Sequence, residues 1–173
     1  YHRFLSDSRT AEPAVKDLKI IDSSTITLFS DILKGVGRNP INGKKKGGIK
    51  MHTMINAMED VPCLIKFTSA ATHDHTFLKD LDLKKNSFVV FDKGYVDYGW
   101  YQALTARGVY FVTRQKTRTV FRVVLNQVVM PDHGVTSDQI IELNGTNQKG
   151  IAPQRLRRVS YHDAETGKNY VFL

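Results

Sequence analysis

The sequence predicts a mixed α/β fold with a β-rich second part, and three observations predict it. Short apolar, β-branched runs dominate residues 18 to 69, then two segments between 72 and 108 switch to helical spacing. Strands and helices thereby fall in the order β-β-β-α-β-α-β, the pattern of a sheet with flanking helices. From residue 118 onward the helical period vanishes, and short strands alternate with turn signals.

Residues 1 to 17 mix polar and apolar types around Pro13 and read as a lead-in to the domain. LKIIDSSTITLF, residues 18 to 29, is apolar and β-branched on both sides of Asp22, as a strand buried on at least one face would be. Residues 34 to 48 hold five glycines and five lysines or arginines, a flexible basic loop. IKMHTMINA (49 to 57) and VPCLIKFTS (61 to 69) read as the second and third strands. Pro62 falls at the start of the latter, where a missing N–H is tolerated.

From Thr72 to Leu83 the spacing of Phe77, Leu78 and Leu81 predicts a helix, capped by Thr72 or Asp74. SFVVFD returns to a buried strand ending at Asp92. The stretch 95 to 108 predicts a second helix closed by Gly108, and VYFVTRQ (109 to 115) another strand. Beyond it, FRVVLNQVVM, QIIELNG, LRRVSYHD and KNYVFL are separated by turn signals such as Asn144-Gly145 and Thr166-Gly167. The expected division is therefore a lead-in at 1–17, a core at 18–117 and a β-rich subdomain at 118–173. The last run stops inside an apparent strand, so that subdomain reads as truncated.

Composition narrows the function classes. No run of 18 or more apolar residues exists, and the start YHRFLSDSRT has no signal-peptide core. The single cysteine, Cys63, excludes an internal disulfide and reads as a buried small hydrophobe. Twenty-five basic against seventeen acidic residues give a formal charge of +8, which favours an anionic partner such as nucleic acid over a merely solvated basic surface.

Three strands followed by alternating helices and strands is the order of the ribonuclease-H-like fold, in which the first and fourth strands lie side by side. Asp22 on the first strand and Asp92 at the end of the fourth would then meet, although 70 positions (92 − 22) separate them. Two such carboxylates repel unless cations neutralise them. Mg²⁺ takes oxygen ligands and keeps several waters, and two such ions about 3.5–4 Å apart suit phosphodiester displacement. An Asp within IIDSSTI is costly to bury unpaired, which favours a role for it over a turn-capping one.

Taken together, LKIIDSSTITLF, GGIKMHTMIN, ATHDHTFLKDL and SFVVFDKGYVDYGWYQAL resemble the DDE transposases of bacterial insertion sequences, of the insertion-sequence-four type. The resemblance covers about residues 18 to 116 and extends more loosely to 173. It implies that Asp22 and Asp92 are the first two carboxylates of a metal-binding triad holding Mg²⁺ or Mn²⁺, two ions in the full-length enzyme. It also implies a β-rich insertion at 118–173, and double-stranded DNA, both transposon ends and target, as the partner. A dimer on DNA and a bacterial, cytoplasmic, nucleoid-associated setting follow in the same way. The family's glutamate lies in a later Tyr-Arg-Glu-Lys helix that this sequence lacks. Glu142 and Glu165 fall in turn-flanked strand patterns, so the third ligand is expected outside the chain, leaving this portion inactive by itself. A ribonuclease-H-like nuclease, an inactive domesticated relative and a non-catalytic basic DNA-binding module are the alternatives.

Lys44, Lys45, Lys46 and Lys50 are candidate phosphate contacts, as against a solvated loop. Lys50 and His52 alternate along one strand and share a face. Lys93 and Tyr95 beside Asp92, and the cluster Arg155, Arg157 and Arg158, are further DNA-contact candidates. His73 and His75 are expected to point apart, Asp97 to sit at a helix N-terminus, and Trp100 and Tyr101 to belong to the core.

Overall fold

A computed structural model of the chain describes residues 17–27, 47–130, 133–143 and 154–173. Lys44, Lys45, Lys46 and the Asn144-Gly145 turn lie outside the described residues. Among those described, no helix is long and apolar enough to cross a membrane.

Strands β1 (Leu18–Thr27), β2 (Gly48–Asn56) and β3 (Val61–Ser69) form an antiparallel meander. Strands β4 (Phe88–Phe91) and β5 (Tyr110–Thr113) join it parallel to β1, giving the order β3-β2-β1-β4-β5. The first and fourth strands are therefore neighbours, as their sequence order implied. Strands β6 (Phe121–Asn126), β7 (Val135–Leu143), β8 (Gln154–Asp163) and β9 (Lys168–Phe172) build a second, antiparallel sheet in sequential order. Gly167, at φ +66°, makes the predicted turn between β8 and β9.

Among the described residues, one face of the first sheet carries the core. Ile21, Met54, Val89 and Phe91 pack beneath Phe77, Leu78, Tyr101 and Leu104, and Ile141, Leu143 and Leu156 of the second sheet join the same core. The opposite face carries Ile20, Ile65, Phe67, Tyr110 and Val112, all exposed. The sheets are sewn together beyond β5: Thr113 and Leu173 exchange backbone hydrogen bonds of 3.0 and 2.9 Å, and the Gln115 N–H donates to Val171 O at 2.8 Å.

The first predicted helix is corrected by the structure. Residues Asp74–Asp80 form a 3-10 helix, and Leu81 and Leu83 are buried beyond it, where no helix remains. Alternating burial at 81 and 83 marks extended chain, and it ends the helical spacing that Phe77 and Leu78 began. Asp74 is not the cap; its carboxylate bonds Lys50 and Ser23 instead. Cys63 also departs from expectation: it is exposed, its thiol donating to Met54 O at 3.3 Å.

The second helix, α1, spans Tyr98–Ala106. It starts late because Asp97 accepts a hydrogen bond from the Trp100 N–H at 3.0 Å, satisfying a donor that the first turn leaves unpaired. It stops at Gly108, whose φ of +69° a side chain would strain. Asp97→Ala is expected to lower unfolding free energy by about 1 kcal/mol. A urea midpoint unmoved by the change would show that the cap contributes nothing.

Candidate active site

The parallel register brings distant residues into one row. Ile21 pairs with Phe91, and Phe91 with Thr113. One step further along each strand stand Asp22, Asp92 and Arg114, on chains separated by the usual strand spacing of about 4.8 Å. All three line one concavity of about 360 Å³ whose remaining wall is mainly apolar, with Val90 and Val112 among its members. β4 ends just before Asp92, whereas β1 continues past Asp22 to Thr27; Asp22 meets solvent because it lies on the sheet face that carries the exposed Ile20 and Ile65.

Arg114 neutralises Asp92 with two hydrogen bonds to Oδ1, from Nη2 at 2.6 Å and Nε at 3.0 Å. Partial burial pulls the Asp92 pKa upward. The Arg114 hydrogen bonds, the Lys93 backbone N–H and the charges of both residues outweigh it, so the net shift is downward. Asp92 is therefore held as a carboxylate beside a cation. Asp22 is exposed and makes no ion pair among the described residues.

Behind the row, on the covered face, lies a polar network that the sequence reading missed. His52 is fully buried on β2; its Nε2 lies 2.9 Å from Thr68 Oγ1 and its Nδ1 3.2 Å from the Tyr95 hydroxyl. Thr68 Oγ1 already donates to Ser69 O, so it receives the Nε2 proton and Nδ1 accepts from Tyr95. His52 is thus neutral with both nitrogens satisfied. Lys50 Nζ donates to Asp74 Oδ1 at 2.8 Å and to Thr72 O at 3.0 Å, and the Ser23 hydroxyl donates to the same Asp74 oxygen at 3.4 Å. A Cβ on Gly94 would sit 3.1 Å from Asp74 Oδ2, so the missing side chain lets the turn after Asp92 close on this network. Ser23 follows Asp22 in β1 and Tyr95 follows Asp92 by three residues. The network therefore ties together the two segments that carry the carboxylates.

These placements correct several expected DNA contacts. Lys50 and His52 do share a face, but it is the covered one, and Tyr95 is 1% exposed. None of the three offers a surface to a polyanion. Burial raises the Tyr95 hydroxyl pKa to about 12, aided by the charges of Asp74, Asp22 and Asp92 and opposed by a Ser23 hydrogen bond. The arginine cluster also divides. Arg155 and Arg157, on one side of β8, face Glu142 and Asp138, whereas Arg158 points the other way to Gln115 and the Phe121 ring. His73 and His75 stack with ring centroids 5.5 Å apart rather than diverging. Lys93 is exposed beside Asp92. Tyr101 is core, as expected, and Trp100 packs against it.

Burial lowers the His52 pKa below 6.5; Lys50 and Lys66 push the same way, and Asp74 opposes them. The unfolded chain then takes up a proton at His52 before the folded one does. Its contribution to stability is complete above about pH 6.5 and declines as pH falls below that value. The melting temperature should drop between about pH 7 and 5, and His52→Gln should flatten that drop. Parallel curves for the two proteins would exclude His52 as the group responsible.

The fold and the site together define a mixed α/β protein with a carboxylate pair and an arginine in one row where the parallel pairing of its strands ends. A family model described as "Transposase DDE domain" matches residues 13–170, and the chain belongs to that family. It is similar to "Putative transposase y4zB" of Sinorhizobium fredii (strain NBRC 101917 / NGR234), 29% identical over 163 residues. That alignment covers 92% of this chain and 44% of the relative, so the chain spans under half the relative's length. Among solved structures, a cryo-EM piggyBac transposase synaptic complex with hairpin DNA aligns at 11% identity and a TM-score of 0.48, covering 90% of this chain and 32% of that one.

Proposed function

We propose that this chain is the catalytic-core portion of a bacterial insertion-sequence transposase of the insertion-sequence-four type, which cuts and joins double-stranded DNA. The observation that carries the reading is the row of Asp22 and Asp92 on adjacent parallel strands. In this reading residues 18–117 form a ribonuclease-H-like core, for which the sheet order β3-β2-β1-β4-β5 speaks, and 118–173 form its β-rich insertion. The family match and the relative's name point the same way.

The residues present suit a hard divalent cation. Both donors are carboxylate oxygens, they share one solvent-reaching concavity, and a guanidinium already compensates one of them. Mg²⁺ or Mn²⁺, two ions in the full-length enzyme, would be held by Asp22 and Asp92 and would supply activation of the attacking oxygen and stabilisation of the leaving one. Among the described residues no group of three or more His, Cys, Asp or Glu could hold a metal. Following the resemblance, the reading assigns the third carboxylate, a glutamate, to a segment outside this chain, and expects this chain to catalyse little by itself. The chain's own part is to keep two carboxylates ionised and in register. The His52–Tyr95 and Lys50–Asp74 contacts brace the segments bearing them.

Incubating the whole polypeptide with element-end and target DNA tests the reading. Strand cleavage followed by joining is the expected result; hydrolysis without joining would make it a nuclease instead. Calorimetric titration of this chain with Mn²⁺ should give weak binding that disappears in Asp22→Ala and Asp92→Ala. Binding unchanged in both variants would remove the metal assignment.

A further inference from the structure

Beside the carboxylate row lies a second cleft, of about 470 Å³, that the proposed chemistry leaves unused. It forms where the extension of β5 runs against β8 and β9. Lys93, Arg114, Lys116 and Arg158 line it, together with Asn169 and Tyr170. An adjoining hollow shares Lys93 and Lys116, adds Arg118 and is bounded by Asp92.

A shared opening sets the cations of this region apart. Lys19, Lys50, Lys66, Arg107, Arg122 and Arg157 each have a carboxylate within 4.0 Å. Around the cleft, Arg114 has only Asp92, and Lys93, Lys116, Arg118 and Arg158 have no carboxylate that close among the described residues. Arg158 is held instead by neutral acceptors, Gln115 Oε1 at 2.8 Å and Gln139 Oε1 at 2.9 Å, and lies 5.1 Å over the Phe121 ring. Those partners fix its orientation without cancelling its charge. Lys79, Lys84, Lys85 and Lys168 also lack a close carboxylate among the described residues, but they line neither hollow; this region differs in that its cations share one opening. Four cations thus converge on one opening against a single carboxylate, and Arg118 stands in the adjoining hollow. A concentration of like charge with a shared opening is repulsive by itself and is relieved by a polyanion. Guanidinium and ammonium donors match phosphate oxygens, and the volume suits a nucleotide-sized segment rather than a lone small ion.

We propose that this cleft and the adjoining hollow seat the sugar-phosphate backbone of the DNA strand running past Asp92, with Lys93, Lys116, Arg118 and Arg158 as its phosphate contacts. The proposal rests on the reading of the chain as a transposase core, and it adds where the strand lies and which residues carry it. It replaces Lys50, His52 and Tyr95 as the contact set, and it attributes affinity without sequence readout to the cleft.

The test is fluorescence anisotropy of this chain with a labelled duplex in EDTA, across about 50 to 200 mM salt. Lys93→Gln/Lys116→Gln/Arg118→Gln should weaken binding at least tenfold and reduce the salt slope by roughly 2 to 3, since each phosphate contact on duplex DNA contributes about 0.9. Lys84→Gln/Lys85→Gln, which removes charge before β4 at the end of the strand away from Asp92, should leave both quantities near wild type. Circular dichroism spectra matching wild type establish that the variants fold. Equal losses in both variants, or none in the first, would overturn the cleft. So would inorganic phosphate displacing the probe far better than chloride at matched ionic strength, which would make the site a small-anion pocket. Because EDTA removes the metal, this result is independent of the Mn²⁺ titration: either can fail while the other stands.

Discussion

Asp22→Asn and Asp92→Asn in the whole polypeptide are each expected to reduce strand cleavage by at least about 10²–10³-fold, the usual loss when one preorganised electrostatic partner of a transition state is removed. The amide keeps the shape of the side chain but not its charge, so the substitution isolates electrostatics. Stability should hardly change. Asp22 is exposed, and the Asp92–Arg114 pair is about half exposed, with side-chain accessibilities of 44% and 49%. Such pairs contribute about 0–1 kcal/mol. The signature is therefore lost cleavage at an unchanged urea midpoint, with DNA still bound through the cleft. Cleavage within a few-fold of wild type for either variant would remove that residue from the site.

Tyr101→Ala is expected to destabilise the fold by about 3–5 kcal/mol, the range for deleting a buried aromatic ring. Tyr101 is fully buried in α1, with its ring centroid 4.6 Å from Phe111 and 5.8 Å from Phe91. With Trp100, whose ring lies 5.1 Å from Phe91, it packs the helix against β4 and β5, the strands that end just before Asp92 and Arg114. Its hydroxyl faces that of Thr113 in the core without forming a well-shaped hydrogen bond, and burial raises its pKa. Tyr101→Phe should consequently cost little, because no good partner is lost. Denaturant unfolding separates the two: a Phe variant as unstable as the Ala variant would show that the hydroxyl, not the ring, holds the helix.

Much of the candidate site was legible because strand order constrains strand neighbours. Asp22 could be found because a carboxylate interrupts an otherwise β-branched run, and Asp92 because it ends one. Arg114 was missed, though it occupies the corresponding place one strand over. Nothing in VTRQ distinguishes it until the parallel register of β4 and β5 is known. Asp74 was read as a local cap because capping is a short-range signal, whereas its partner Lys50 is 24 positions away. Lys50, His52 and Tyr95 were assigned to solvent for a related reason. Alternation tells which residues share a face of a strand, not which face the remaining chain covers.

The sequence by itself determined the element order, the two acidic strand positions, the helix ended by Gly108 and the basic excess, all of which are local patterns or sums. Only the tertiary structure decided that Asp22, Asp92 and Arg114 stand in one row, that His52 is buried and neutral, and that four cations share one cleft with a fifth in the adjoining hollow. Those facts depend on pairings between residues tens of positions apart. A one-dimensional pattern encodes which side chains can meet, but the register of the assembled sheets selects which ones do.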